Sequence, residues 1–167
     1  MVEKETILKE IFKHKGIGDF KDFYNFMYSW LKDEGFVITE KLYSEKLAGD
    51  SKDIEVKWEA KRELTDYFRA HIEMVSKVRG LKDIEIEVDG KRKKTQEFRE
   101  IEITIKGVLE KDYNSRWEKS AIQKFLKEVY HKYVIPSRTD EMMAVVMEFV
   151  QNLKEDMKAF FDLLGKR

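Results

Sequence analysis

Apolar and polar residues alternate along TDYFRAHIEMVSKV, residues 65–78, over a longer distance than anywhere else in the chain. The apolar set is Phe68, Ala70, Ile72, Met74 and Val78, and the polar set is Tyr67, Arg69, His71, Glu73 and Lys77. This period of two predicts a long strand with one buried face and one solvated face. The same alternation recurs at Ile101, Ile103, Ile105 and Leu109. We therefore expect a sheet of long strands whose apolar face is covered by helices.

Further strand patterns fill the middle of the chain. Residues 36–47, 54–64 and 98–109 alternate in the same way, and residues 83–94 predict a hairpin around Asp89 and Gly90. A two-residue turn there pairs Val88 with Lys91, Glu87 with Arg92 and Glu85 with Lys94. Because every link between these strands is short, we expect an antiparallel meander.

Helical periodicity occurs in the sequence both before and after the predicted strands. A helix is predicted over residues 19–34, with Asp19 as its N-cap and Gly35 as the left-handed residue that follows it. Two more helices are predicted over residues 114–135 and 137–164, separated by Pro136, the only proline in the chain. A narrower apolar stripe predicts a helix over residues 2–14, and the two glycines of the following KGIG favour a hinge.

These patterns together predict an α+β fold. We expect a long-stranded antiparallel meander sheet of about five strands, with N-terminal and C-terminal helices packed on one face. Residues 1–18 are then a helical arm and hinge, and residues 19–167 are a single α+β domain with its sheet over residues 36–110. A chain of 167 residues is long enough to bury such a core.

Composition narrows the classes of function. Lys+Arg and Asp+Glu are 33 each, so the chain lacks the net charge that attracts nucleic acid or an anionic membrane. The absence of cysteine excludes a disulfide framework, a thiolate zinc site and a cysteine nucleophile. The first residues show no signal sequence and no apolar run is long enough to span a bilayer, so we expect a soluble, cytoplasmic protein. A charged fraction of 40% with one proline is typical of thermophile proteins.

A basic run on the predicted hairpin is the candidate phosphate contact. It consists of Lys91, Arg92, Lys93 and Lys94, and a nucleic-acid site would add Lys77, Arg79 and Lys82. The hairpin register offers a different explanation, because it places carboxylates opposite two of the four cations. Lysines on an exposed strand also discourage pairing with other chains. Nucleic acid is therefore the less favoured partner.

No motif identifies a catalytic residue, a metal ligand or a cofactor site. His71 and Glu73 project to one face with Arg69 beside them, an arrangement suited to a base and its orienting carboxylate. That face is predicted to be solvated, and no nucleophile lies at strand spacing from the pair, so a charged sheet surface is the simpler interpretation. We expect no catalytic group, no metal and no cofactor, which favours a non-enzymatic protein.

The chain is rich in aromatic residues, with 11 Phe, 7 Tyr and 3 Trp. Most of them fall on predicted core faces, and packing of the core explains them. The alternative is a pocket for an apolar small molecule between sheet and helices. Its candidate lining is Trp30, Trp58, Phe68 and Met74.

The last predicted helix carries two apolar surfaces. One surface, which we call the seam, packs either on the body of the chain or on a second copy. Its residues recur with the spacing of a coiled coil: Met143, Val146, Val150, Leu153, Met157, Phe160 and Leu164. Outside the seam, the candidate partner surface consists of Met142, Val145, Phe149 and Phe161. This helix therefore favours a protein partner or a homodimer, while its carboxylates oppose binding to an anionic membrane.

Three blocks of the sequence resemble a family of small archaeal proteins with no assigned activity: WEAKRELTDYFRAHI, RGLKDIEIEVDGK and GVLEKDYNSRWEK. The resemblance implies an intracellular archaeal protein and carries over no functional residue. The sequence by itself then favours a non-enzymatic interaction or scaffold module that acts through helical apolar surfaces. A binding protein for an apolar small molecule and a nucleic-acid or ribosome-associated protein are the alternatives.

Overall fold

A five-stranded antiparallel sheet and three helices make up the part of the chain that this computed structural model describes, residues 2–113, 121–133 and 135–165. The elements in chain order are β1 Glu3–Ile17, α1 Phe20–Asp33, β2 Val37–Ala48, β3 Ser51–Glu63, β4 Phe68–Val88, β5 Lys91–Lys111, α2 Ala121–Tyr133 and α3 Ile135–Gly165. The strand order is β1-β5-β4-β3-β2, and all neighbours are antiparallel. The predicted α+β class and the long-stranded antiparallel sheet are confirmed.

The hairpin of β4 and β5 is the centre of the sheet. Its turn is Asp89-Gly90, where both residues have positive φ values of 52° and 76°, as a two-residue hairpin turn requires. The three cross-strand pairs predicted next to the turn are present. The two strands are each 21 residues long, so the segments predicted separately over residues 65–78 and 83–88 belong to one strand.

The N-terminal segment corrects the sequence-based prediction. Residues 2–14 were expected to form a helix in a mobile arm, but Glu3–Ile17 is an edge strand paired with β5 along its length. Leu8 and Phe12 pack against the core, while Glu10 lies on the same side and binds Lys154 of α3 at 2.8 Å. The apolar–polar alternation expected of a strand is interrupted here in two ways: by a bulge between Thr6 and Leu8 and by this inward carboxylate. The pairing partner lies about one hundred residues away, so no local signal identifies it.

The helices follow the predictions more closely. Helix α1 begins after Asp19, whose carboxylate accepts a hydrogen bond from the Asp22 amide, and it ends before Gly35, which has a φ of +88°. Helix α3 contains the helix predicted over 137–164 and begins at Ile135, with Pro136 in its first turn. Of the helix predicted over 114–135, residues 114–120 and 134 lie outside the described residues, and α2 covers 121–133.

The core lies between the sheet and helices α1 and α3. The seam of α3 packs on the chain's own sheet, and its residues Val146, Val150, Leu153 and Met157 are fully buried. The alternate positions of β3, β4 and β5 supply the facing side chains, including Ile54, Val56, Trp58, Phe68, Ile72, Met74, Ile103, Ile105 and Leu109. The two helices also contact each other, since Phe26 stacks on Phe160 with ring centroids 4.8 Å apart.

The alternation on β3 yields a stability prediction. Trp58 is buried and donates a hydrogen bond to Glu40, whereas its neighbour Lys57 is exposed on the opposite face. We expect Trp58→Ala to lower the free energy of unfolding by about 3 kcal/mol or more, and Lys57→Ala to change it by less than about 0.5 kcal/mol. Urea denaturation measures both values. Equal losses of unfolding free energy in the two variants would show that the face of β3 that carries Trp58 is not the one packed against the helices.

Candidate functional site

A cluster of charged side chains lies on the outer face of the sheet, which we define as the side chains of the strands that point away from the core. The pairing of β4 with β5 places Arg69 opposite Glu110 and Glu73 opposite Lys106. The pairing of β3 with β4 places Lys61 opposite His71. Successive charges on neighbouring strands are thereby brought within reach of one another.

Glu110 is the centre of this cluster and is fully buried. Its carboxylate accepts hydrogen bonds from Nε of Arg69 and, at 3.0 Å, from Nδ1 of His71. The ammonium groups of Lys61 and Lys4 lie 3.6 and 3.9 Å from it. Burial by itself raises the pKa of Glu110, but Arg69, Lys61 and His71 outweigh that effect and hold the pKa below its usual value. Glu110 is therefore ionised at neutral pH.

His71 is buried beside Glu110, so the expectation that it lies on a solvated face is wrong. Burial lowers the pKa of His71, although Glu110 and Glu73 act in the opposite direction, so the ring is neutral at pH 7. We assign the proton to Nδ1 because a carboxylate only accepts hydrogen bonds. Nε2 then carries a lone pair, and it is a buried atom without a hydrogen-bond partner among the described residues.

Two glutamates flank the free nitrogen of His71. Glu59 on β3 and Glu73 on β4 face each other directly in the register, and Nε2 of His71 lies 3.8 Å from Oε1 of Glu73. One donor atom from each of these three residues lies within 4.8 Å of the other two. Lys41 contacts Glu59 at 3.5 Å and Lys106 contacts Glu73 at 3.6 Å. These cations offset the repulsion between carboxylates that lie opposite each other.

A cleft of about 490 Å³ opens beside the cluster. Its lining comes from the β2–β3–β4 side of the sheet and the end of α1: Gly35, Val37, Thr39, Glu59, Lys61, Arg62, Glu63 and Arg69. Glu59, Lys61 and Arg69 therefore border both the cleft and the buried charges. The Arg69 guanidinium also lies over the ring of Tyr113, 4.7 Å from its centroid, which holds the cation in place.

The predicted phosphate contact is separate from this cluster. Lys91, Arg92, Lys93 and Lys94 are exposed at the hairpin end. Arg92 lies 4.0 Å from Glu85, and Glu85 faces Lys94 across the hairpin. A second cleft, lined in part by Lys94, also contains Asp19, Asp83 and Glu85. Carboxylates therefore accompany the cations, as the register indicated.

The predicted apolar pocket residues all join the core. Trp58, Phe68 and Met74 are buried. Trp30 is partly buried against the core, and its Nε1 donates to Asp156 of α3 at 2.7 Å. These side chains contact protein in this structure. A ligand between sheet and helices stays a prediction.

The predicted partner surface on α3 is corrected at one position. Phe161 is buried and stacks on Phe12, His14 and Phe23, so it belongs to the core and not to a surface. Met142, Val145 and Phe149 are half-buried. Phe149 lies against Phe36 and beneath the Arg62 guanidinium. Little of this surface is left for a partner.

Helix α2 carries an apolar surface that the other described residues leave exposed. Its exposed large apolar residues are Ile122, Phe125, Leu126 and Val129. They recur at intervals of three and four residues, which places them on one side of the helix. Helical spacing alone predicts this stripe, whereas its exposure is visible only in the structure. None of the described helices has an apolar stretch long enough to cross a bilayer.

Comparison with known proteins finds no matching family, no matching curated protein and no matching solved structure.

The buried position of Glu110 predicts a large effect of its removal. In Glu110→Gln, Arg69 and His71 lose the charged acceptor that they share, and we expect the free energy of unfolding to fall by about 3 kcal/mol. The matched control is Glu102→Gln, since Glu102 lies on the same strand and face and its ion pair with Lys13 is solvated. This substitution should lower the free energy of unfolding by less than about 1 kcal/mol. Urea denaturation measures both variants, and equal losses would contradict the central role of Glu110.

Proposed function

We propose that this protein is a non-enzymatic interaction module that acts through helix α2, and that the apolar side of α2 docks a second copy of the chain. The observation that carries the proposal is the exposure of Ile122, Phe125, Leu126 and Val129 on one side of a surface helix. Four large apolar side chains at these positions form a patch of several hundred Å². Contiguous patches of that size on a protein surface mark interaction sites.

The spacing of the patch suits docking of a helix. Anchors at positions i, i+3, i+4 and i+7 are the pattern with which an amphipathic helix enters an apolar groove or packs on another helix. Aromatic and large aliphatic side chains supply most of the binding energy of such contacts, and Phe125 lies in the middle of the stripe.

Charge complementarity favours a second copy as the occupant. Helix α2 has three lysines and one glutamate, whereas α3 has six carboxylates and three basic residues. Four of the α3 carboxylates are exposed at seven-residue intervals: Glu141, Glu148, Glu155 and Asp162. We infer that α2 of each copy lies along α3 of the other, because a two-fold axis then forms both contacts at once.

Light scattering in solution tests the dimer. We expect the wild type at tens of micromolar concentration to have twice the monomer mass of 20.0 kDa. The double variant Ile122→Ser/Phe125→Ser removes two anchors from each of the two symmetric contacts. At about 1 kcal/mol or more for each of the four side chains, it should weaken the dimer by at least about 700-fold. A monomeric wild type would overturn the proposal.

The matched control removes equally exposed apolar residues elsewhere. Val37 and Ile122 are each 73% exposed, and Leu47 on the edge strand is 80% exposed compared with 64% for Phe125. Val37→Ser/Leu47→Ser should therefore leave the dimer intact. Dissociation by both double variants would mean that association depends on general surface hydrophobicity and not on α2.

Charge reversal tests the inferred position of the partner helix. Glu148→Lys/Glu155→Lys should weaken the dimer, while Glu85→Lys/Glu87→Lys on the exposed hairpin makes the same change in net charge and should not. A dimer insensitive to the α3 variant would place the contact of α2 on another surface.

A further inference from the structure

The outer face of the sheet holds two carboxylates and an imidazole nitrogen that converge on one point. Glu59 and Glu73 lie directly opposite each other on β3 and β4, so their like charges repel and a cation that contacts both would be favoured. Nε2 of His71 is aimed at the same place, 3.8 Å from Glu73. It is buried, and the described residues offer it no hydrogen-bond partner. A buried polar atom in this condition calls for a partner beyond the described residues, and a bound ion is one such partner.

We propose that Nε2 of His71 and one carboxylate oxygen each of Glu59 and Glu73 bind a divalent transition-metal ion of the Zn²⁺ class. One imidazole and two carboxylates form a ligand set that suits Zn²⁺, Co²⁺ and related ions. The proposed site lies on the sheet, and no residue of α2 contributes to it, so it is independent of the docking surface.

The distances are close to those that a metal requires. The three donor atoms lie within 4.8 Å of one another, whereas ligands at about 2.1 Å from a tetrahedral ion are about 3.4 Å apart. The donors must therefore approach by roughly 1 Å. Rotation about the flexible bonds of the two half-exposed glutamates supplies that movement. His71 need not move, because its ring is fixed by burial.

Glu110 prepares His71 for this role. Metal-binding histidines usually donate their second ring nitrogen to a carboxylate or carbonyl, which fixes the tautomer and makes the ligating nitrogen more basic. Nδ1 of His71 donates to Glu110 at 3.0 Å, and that bond directs the lone pair of Nε2 toward Glu59 and Glu73. Glu110 is in turn fixed by Arg69 and Lys61. The buried charge cluster is thus the outer support of the metal ligands.

The surrounding lysines and the cleft complete the site. Lys41 and Lys106 are the present counter-ions of the two glutamates, and both are partly exposed, so they can turn into solvent when a metal ion enters. Three protein ligands leave a fourth tetrahedral position for water. Glu59 borders the 490 Å³ cleft, which provides access for the ion and that water.

Calorimetric titration of metal-stripped protein with Zn²⁺ at neutral pH tests the proposal. We expect one ion per chain, with Glu59→Gln and Glu73→Gln each weakening binding by more than the roughly 10- to 100-fold that loss of an outer partner costs. In nitrogen NMR spectra, the Nε2 resonance of His71 should shift on addition of Zn²⁺. His14 packs on the opposite side of the sheet against Phe161, and its resonances should not shift.

Matched carboxylates on the same face serve as controls. Glu55 and Glu73 are each 38% exposed, and Glu102 and Glu59 are each 32% exposed. Glu55→Gln and Glu102→Gln should bind Zn²⁺ as the wild type does. Failure of the wild type to bind Zn²⁺ or Co²⁺, or equal affinity in all four variants with an unshifted His71 resonance, would overturn the proposal.

Discussion

The close contact of α3 with the sheet is the constraint on which the rest of the structure depends. The two meet at Gly107, near the C-terminal end of β5, where an added Cβ would lie 2.8 Å from Leu8 and 2.9 Å from Val150. A side chain at this position would push the helix away from the strands, and the surrounding apolar contacts would be lost with it. Helix α1 is fixed against α3 through the Trp30–Asp156 hydrogen bond, so both helices are held on the same face.

The position of the helices determines how the charges on the outer face of the sheet are balanced. With α1 and α3 on one side, the charged side chains described on the other side of the central strands balance one another. The strand order places Glu110 of β5 between Lys4 of β1 and Arg69 of β4, and Lys61 reaches it from β3. The Glu110 side chain is fully buried there. Loss of its cations would leave a buried carboxylate uncompensated, so the folded state favours the arrangement in which they stay in place. The Glu110 carboxylate in turn orients the His71 ring, which is a favourable starting point for binding an ion.

The structure separates two kinds of surface. Helix α2 contacts α3 and leaves an apolar stripe exposed, which suits docking of another chain. The outer face of the sheet is charged, and it suits a small cation. The proposed association through α2 and the proposed ion binding through His71 rely on different residues. Either property can therefore be removed by substitution while the other is kept.

The sequence by itself determined the strands β2 to β5, their inward faces and the central register. Alternation identifies Phe68, Ile72 and Ile103 as inward residues. The Asp89-Gly90 turn fixes which residues of β4 and β5 face each other: the residue numbers of each pair add up to 179, both next to the turn and at the distant pair of Arg69 and Glu110. Extending the turn register over the whole hairpin would have revealed that pair. These features are accessible because they depend on neighbours in the chain and on the period of the strand.

Only the tertiary structure decided the role of β1, the burial of His71 and the exposure of α2. Residues 3–17 form a strand because β5 offers hydrogen bonds from residues 97–111, far away in the chain. His71 is buried because side chains of neighbouring strands cover a position that alternation assigns to solvent. The apolar stripe of α2 has the same periodicity as the seam of α3, yet one is exposed and the other is buried. The physical reason is common to all three: periodicity tells which side chains share a face, but whether another element covers that face depends on contacts between residues distant in sequence.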